Sequence, residues 1–314
     1  MKIMLIDIDS KIPNLALMKL SAFHKSRGDR ISLIKMKKGI LPISAFDFSP
    51  DIVFVSCVFP KNKKLTNTIN KMFPYSFVIK GGYGINNSQL SSEIEHIMPD
   101  YELYGIDYSI GFCSRGCFRN CPWCIVPKME GKLRDNCMIQ EFHNPDHKKV
   151  VLLDNNFLAS FSFKQNMNYL LEQNLKVSYN QGLDIRLINE KNVKLIAESK
   201  YYDFHFKERR LYFAWDSLEI EPTVMKGIKI LKEQGIKMKD LMFYILCGFN
   251  TTHEQDYHRI KALMNLGCKP FVMKYNGMRN DKWLNRLAKW VNRRYYKVCE
   301  FEDFNMNTDK FRNK

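Results

Sequence analysis

Four of the nine cysteines fall within twelve positions, in the stretch Ser109-Ile-Gly-Phe-Cys113-Ser-Arg-Gly-Cys117-Phe-Arg-Asn-Cys121-Pro-Trp-Cys124-Ile-Val-Pro127. The other five, Cys57, Cys137, Cys247, Cys268 and Cys299, are scattered and read as core or surface thiols. Two metals compete for the cluster. Structural zinc usually takes four ligands, commonly as two pairs a dozen or more residues apart. Cys121 and Cys124 form one such pair, but no second pair stands at that distance. Iron–sulfur clusters accept compact cysteine runs from a single loop. With three cysteines from one loop, a cubane keeps one iron free of protein ligand, and an open position is what a catalytic metal needs and a structural one lacks. The spacing favours an iron–sulfur centre, with zinc as the alternative.

Cys117-x-x-x-Cys121-x-Trp123-Cys124 has the CxxxCxΦC spacing in which Φ is aromatic, and in this the chain resembles the radical S-adenosylmethionine (SAM) superfamily. The wider Ser114 to Lys128 segment is similar to the branch that holds methylthiotransferases and cobalamin-dependent radical SAM enzymes. The resemblance implies that Cys117, Cys121 and Cys124 hold three irons of a 4Fe–4S cluster, with the amino and carboxylate groups of SAM on the fourth. One electron would then cleave the sulfonium C–S bond to give methionine and a 5′-deoxyadenosyl radical. In such an enzyme the cofactor carries the hard chemistry, and the protein supplies placement and dryness. Cys113 is out of register with the motif and is expected on the end of the preceding strand, as a buried thiol near the site.

Further residues follow from the resemblance one at a time. Trp123 takes the aromatic position. The polar segment that meets the SAM amino group falls on Asp154-Asn155-Asn156, which departs from the common GGE form. After the next strand, Gln181-Gly-Leu-Asp184-Ile-Arg186 offers a carboxylate and a guanidinium, the latter able to hold the SAM carboxylate bidentately. Asp216 in Ala214-Trp-Asp-Ser217 is placed to bind the ribose hydroxyls, and the strand running into Gly248 resembles the one that contacts adenine. Helix capping accounts for Thr251, Thr252 and Glu254 at least as well as ligand contact does. A solvated loop carboxylate is the plain alternative for Asp154, Asp184 and Asp216. Their position at three successive strand C-termini, where barrel active sites gather, favours function.

These positions require a scaffold of alternating strands and helices. Apolar runs at Lys2–Ile8, Ile31–Ile34, Asp51–Phe59 and Tyr75–Ile79 read as strands, with helices over Pro13–Lys25 and Leu65–Met72. Gly81-Gly-Tyr-Gly84 follows as a tight turn, since it is no GxGxxG fingerprint. The alternation resumes with strands at Lys149–Leu153, Lys176–Tyr179, Arg210–Ala214, Leu241–Leu246 and Pro270–Tyr275. Helices lie between them at Phe163–Gln173, Glu190–Ser199, Pro222–Gln234 and Asp256–Leu266. With the strand before the cysteine loop this gives six βα units, too few for a complete eight-stranded barrel but suited to an open one. The expected fold class is α/β. A Rossmann-like parallel sheet over 1–105 precedes a partial (β/α)6 radical SAM barrel over 106–280 and a basic helical extension over 281–314.

The N-terminal unit looks like the cobalamin-binding domain of some radical SAM proteins, but the DxHxxG motif that supplies the lower cobalt ligand is absent. Cobalamin stays a lesser alternative, because some relatives bind it without that histidine. A methylthiotransferase should carry three further cysteines here, and only Cys57 is present. The net charge of +16 is consistent with a nucleic acid or with a diffusely basic surface. Its densest clusters are Lys207-Glu-Arg-Arg210 and Arg286 to Lys297. No apolar run approaches a membrane span, and Asp7 and Asp9 interrupt the N-terminal apolar stretch, so a cytoplasmic protein is expected. A flavodoxin- or ferredoxin-type electron donor is implied, since no flavin or second-cluster motif is present. The competing class is a non-catalytic zinc or iron–sulfur nucleic-acid-binding protein; a NAD-type dehydrogenase lacks its fingerprint.

Overall fold

The computed structural model describes residues 1–36, 40–86 and 88–306. The N-terminal strand β1 (Lys2–Asp7) is buried at every position but its first, as expected of a strand covered on both faces. Helix α1 (Leu15–Ser26) begins where Asn14 accepts from the Leu17 N–H at 3.3 Å. Strands β2 (Arg30–Lys35), β3 (Ile52–Ser56) and β4 (Phe77–Gly81) complete a parallel sheet of order β2-β1-β3-β4. The helix expected over Leu65–Met72 is instead a 3-10 stretch, Pro60–Asn67, ending in the single turn α2 (Ile69–Met72). The cause is local: the Thr66 and Thr68 hydroxyls bond back to the Lys63 and Leu65 carbonyls at 2.8 and 3.0 Å, competing with the helical ladder. A further turn, α3 (Ser92–Glu95), packs against α1.

Strand β5 (Ser109–Gly111) leads into the cysteine segment, which is pinched by a two-residue hairpin of β6 (Ser114–Arg115) and β7 (Arg134–Asp135) around the turn α4 (Val126–Met129). After α5 (Ile139–Phe142) come β8 (Lys149–Leu152), α6 (Phe163–Glu172), β9 (Lys176–Tyr179) and α7 (Glu190–Glu198). A short strand not foreseen, β10 (Lys200–Tyr201), buries Tyr201 along the start of β9. Then follow β11 (Leu211–Ala214), α8 (Glu221–Glu233), β12 (Leu241–Cys247), α9 (His253–Asn265), β13 (Lys269–Lys274) and α10 (Lys282–Asn292). Two parallel sheets result, β10-β9-β8-β5 and β11-β12-β13, joined where the Leu183 N–H donates to the Tyr212 carbonyl at 2.7 Å. The protein is thus mixed α/β with parallel sheets.

Each sheet is dry on the side facing its helices. In β12, Leu241, Phe243, Ile245 and Cys247 are buried, while Met242, Tyr244 and Leu246 on the opposite face are only half-buried. The expected basic extension is part of the core. Leu284, Leu287, Trp290 and Val291 of α10 are buried, and the Asn292 amide pairs with both backbone groups of Val272, covering the edge of β13. Its last residues, 307–314, lie outside the described residues. Among the described residues no helix is long and apolar enough to cross a membrane.

The boundary expected near residue 105 is crossed by apolar packing. Met18 of α1 is fully buried in one cluster with Tyr101, Ile110, Val151 and Leu153. The Tyr101 hydroxyl donates to the Phe142 carbonyl. Met18→Ala should therefore cost about 2–5 kcal/mol, the range for emptying a buried site of this size. Because the core is shared, urea unfolding followed by fluorescence should show one transition moved to lower urea. Two separate transitions, only one of them moved, would contradict the shared core.

Candidate functional site

The cysteine segment lies over the C-terminal ends of the strands and is tied to them one by one. At its start, the Cys113 and Ser114 N–H groups donate to the buried Asp154 carboxylate, just past β8, at 3.1 and 2.5 Å, and the Ser114 hydroxyl adds a third bond at 2.7 Å. Cys113 is fully buried. Asp154, expected to face a ligand, is placed beneath the loop and holds its backbone. Asn155 is likewise turned to the loop and donates to Glu130 at 2.8 Å. Midway along the segment, Arg119 donates to Asp184, past β9, at 2.6 Å. Trp123 meets Phe249, past β12, edge-on at 5.2 Å, and Phe249 meets Tyr275, past β13, in the same manner at 4.8 Å.

Cys117, Cys121 and Cys124 are free thiols, all half-buried. The Cys124 N–H closes a turn on the Cys121 carbonyl at 3.0 Å, and Cys117 Sγ accepts from the Arg119 N–H at 3.4 Å. Burial pushes the Cys121 thiol up and Arg186 draws it back, while Cys124 and Cys117 are near enough to add to the rise. Among the described residues no three His, Cys, Asp or Glu side chains stand close enough together to hold a metal ion. The donor set nevertheless has the chemistry of an iron–sulfur or zinc centre, and one observation beside it calls for a further group. Asn156 is buried with its Oδ1 unpaired, while its Nδ2 reaches Asp184 at 3.4 Å and Cys117 Sγ at 3.8 Å. A buried acceptor without a donor is costly, so a ligand N–H at this spot would relieve it.

Asp184 is the charged centre of the site. It receives Arg119, the Asn156 amide and a bidentate pair from Arg186, Nε to Oδ1 at 2.6 Å and one Nη to Oδ2 at 3.0 Å. Burial raises its carboxyl, but the two guanidinium groups outweigh this and hold it below the ordinary carboxylate range. One edge of the Arg186 fork is thereby committed to the protein; the other is what remains for a ligand carboxylate. Asp216 stands close to Arg186 and Cys121, and burial raises its carboxyl. Gly248 has φ of +79° and its N–H donates to Asp256 at 2.9 Å; a Cβ there would stand 2.7 Å from Met278 Cγ. Thr252 accepts from the Gln255 N–H at 3.3 Å and caps α9, the structural role weighed for it, while the Thr251 hydroxyl donates to Asp256 at 2.7 Å.

Several working residues gave no sequence signal. Asp256 and Arg259, both fully buried, form an ion pair at 2.5 Å. Arg259 also donates to the Trp215 and Leu246 carbonyls at 2.7 and 2.8 Å, which sets the chain beside Asp216 and ahead of Gly248. Glu130 gathers the neck of the cysteine loop. Asp9 fills the crevice at the switch point between β1 and β3, accepting from Val58 N–H, Phe59 N–H and Asn62 at 2.7, 3.0 and 2.8 Å. Part of the basic charge is spent inside the fold: Arg210 is buried, and Arg286 donates to the Phe304 and Glu302 carbonyls at 2.7 and 2.8 Å. No family model matches the chain, and neither does any curated protein.

Two measurements follow. Burial pushes the Asp154 carboxyl from 3.8 up to about 6, against the opposing hydrogen bonds from Ser114 and Cys113. The folded state then holds an extra proton between those values, so this group's contribution to stability falls as pH rises from about 4 to about 6, by up to about 3 kcal/mol. Urea midpoints measured from pH 4 to 7 should lose that slope in Asp154→Asn; an unchanged slope would mean that Asp154 is ionised throughout. Arg259→Ala strands a buried carboxylate and should cost about 3–5 kcal/mol in the same assay, with Arg259→Lys a poor rescue because the planar fork is lost. A loss of less than 1 kcal/mol would be evidence against a structural role for the Asp256–Arg259 pair.

Proposed function

We propose that the chain is a radical SAM enzyme, with Cys117, Cys121 and Cys124 holding a 4Fe–4S cluster whose open iron takes SAM. The observation that carries this is the pairing of an iron–sulfur donor spacing with its place: three free thiols on one loop, over strand C-termini that also present Asp184, Arg186 and Asp216. Joined through Leu183 and Tyr212, the strands β5, β8, β9, β11, β12 and β13 follow one another in chain order, which supports reading them as a partial barrel. The parallel sheet ahead of it, β2-β1-β3-β4, has its switch point between β1 and β3. Asp9 in its crevice speaks against cobalamin binding there.

When bound, the cluster supplies one-electron reductive cleavage of the SAM sulfonium bond. The chain's own residues bind and orient. Asn156 offers an unpaired acceptor for an amino group, the free edge of Arg186 offers two donors for a carboxylate, and Asp216 offers an acceptor for ribose hydroxyls. Trp123 packs edge-on against Phe249 and so ties the loop to the β12 side. A flavodoxin- or ferredoxin-type protein would deliver the electron. Nucleic acid is among the substrates that a net charge of +16 would suit.

Anaerobic reconstitution of the full chain with iron and sulfide, followed by reduction with SAM, tests this reading. The wild type should bind about four irons and release 5′-deoxyadenosine, as a site-differentiated cubane requires. Cys117→Ala should lose both. Colourless protein holding stoichiometric zinc, or a Cys117→Ala variant that keeps the full cluster and the cleavage, would overturn it.

A further inference from the structure

The Gly81-Gly-Tyr-Gly84 turn and the Glu130 carboxylate, which gathers the neck of the cysteine loop, meet at one point. The geometry points to a single device: Tyr83 and Glu130 clamp the neck of the cysteine loop, with Glu130 as the positioning residue that sets the presentation of Cys117. Glu130 is 8% exposed and draws donors from three separate segments. Its Oε2 accepts the Gly116 N–H at 2.9 Å and the Asn155 amide at 2.8 Å, and forms an ion pair with Arg115, whose Nε stands 3.2 Å away. Its Oε1 accepts the Tyr83 hydroxyl at 2.6 Å, across 47 positions of chain. The Arg115 guanidinium also donates to the Tyr83 hydroxyl, and it lies 3.9 Å over the Phe112 ring. Burial raises the Tyr83 phenol, so it keeps the proton it donates.

The glycines explain how Tyr83 is delivered. Gly82 has φ of +96°, and a Cβ there would stand 2.5 Å from the Cys57 carbonyl oxygen. A Cβ at Gly84 would stand 2.9 Å from the same oxygen and from Cys57 Sγ. With side chains absent at both positions, the turn lies flat against the end of β3, held by the Gly84 N–H on the Cys57 carbonyl at 2.9 Å. Tyr83, between them, faces the loop. At the other jaw, Gly116 has φ of +75° and no room for a Cβ, which would stand 2.3 Å from the Lys132 carbonyl, and the Cys117 N–H donates to the Gly131 carbonyl at 3.3 Å. The limbs of the loop are therefore pinched together immediately before the first of its three thiols. This assignment gives Asn155 to the clamp.

The role of the clamp in the site rests on the iron–sulfur reading; the clamp itself is measurable without metal. Hydrogen exchange of the Gly116 amide in the metal-free full chain should quicken about tenfold or more in Glu130→Ala, the factor expected for a charge-assisted hydrogen bond. Glu130→Gln, which keeps an acceptor, should fall between Glu130→Ala and wild type. Tyr83→Phe, which keeps the packing, should quicken it about threefold, as for a weaker, indirect support. After reconstitution, Glu130→Ala should hold less iron and sulfide, and Tyr83→Phe should show a shifted electron paramagnetic resonance line shape. Unchanged Gly116 exchange in Glu130→Ala would overturn the clamp. If wild type loads a cluster that Cys117→Ala loses, while Glu130→Ala loads it with the wild-type line shape, the positioning role is overturned and the function stands. If wild type takes up no iron while Gly116 responds as described, the function falls and the clamp stands.

Discussion

The N–H groups of Cys113, Ser114 and Gly116 all end on buried carboxylates, Asp154 for the first two and Glu130 for the third. An irregular loop cannot be brought over a sheet unless its backbone donors are satisfied, because each orphaned one costs as much as a lost hydrogen bond. Those three bonds are the condition for everything the loop carries. Once the neck is held, Arg119 can reach Asp184 past β9 and Trp123 can reach Phe249 past β12, so Cys121 is bounded on both sides, with Cys117 and Cys124 just beyond. The same carboxylates are costly to bury, and each is offset by several donors at once.

Charge around the thiols follows from this arrangement. Arg115, Arg119 and Arg186 converge on the loop, answered by Glu130 and Asp184. The pairs fix the guanidinium groups in place, and Arg186 partly offsets the rise that burial imposes on the Cys121 thiol. Arg259 and Asp256 do the equivalent work under β11 and β12, where no ligand chemistry is expected of them. The strand ends are thus shaped by ion pairs, of which the one between Arg259 and Asp256 is fully buried and lies away from the thiols.

The sequence was most legible where a single element decides the outcome. Lys176–Tyr179 is a strand with the bounds expected of it, since an apolar run between turn residues has little else to become. The tight turn at Gly81-Gly-Tyr-Gly84 was equally plain, but its target was not, because Glu130 follows Tyr83 at a distance that no local pattern reports. Asp256 and Arg259 stand three apart on a helix, a spacing that ordinarily marks a solvated pair. Only the packing of α9 against β12 turns them inward. Asp154 and Asn155 were found as a polar pair at a strand end, yet which way each faces depends on the loop above them. The basic extension is helical over Lys282–Asn292, but its cations gave no sign of Leu284, Leu287 and Trp290, which bury it.

The packing of α1 against β5 and β8 has a consequence for how the chain is made. Synthesis delivers the N-terminal sheet first, but the face of α1 that carries Met18 has no complete cover until Ile110, Val151 and Leu153 have also emerged. During that interval an apolar helix face stays open on the ribosome. The N-terminal sheet therefore cannot complete the burial of its own helix until β8 has been made, so the two halves of the chain finish folding together.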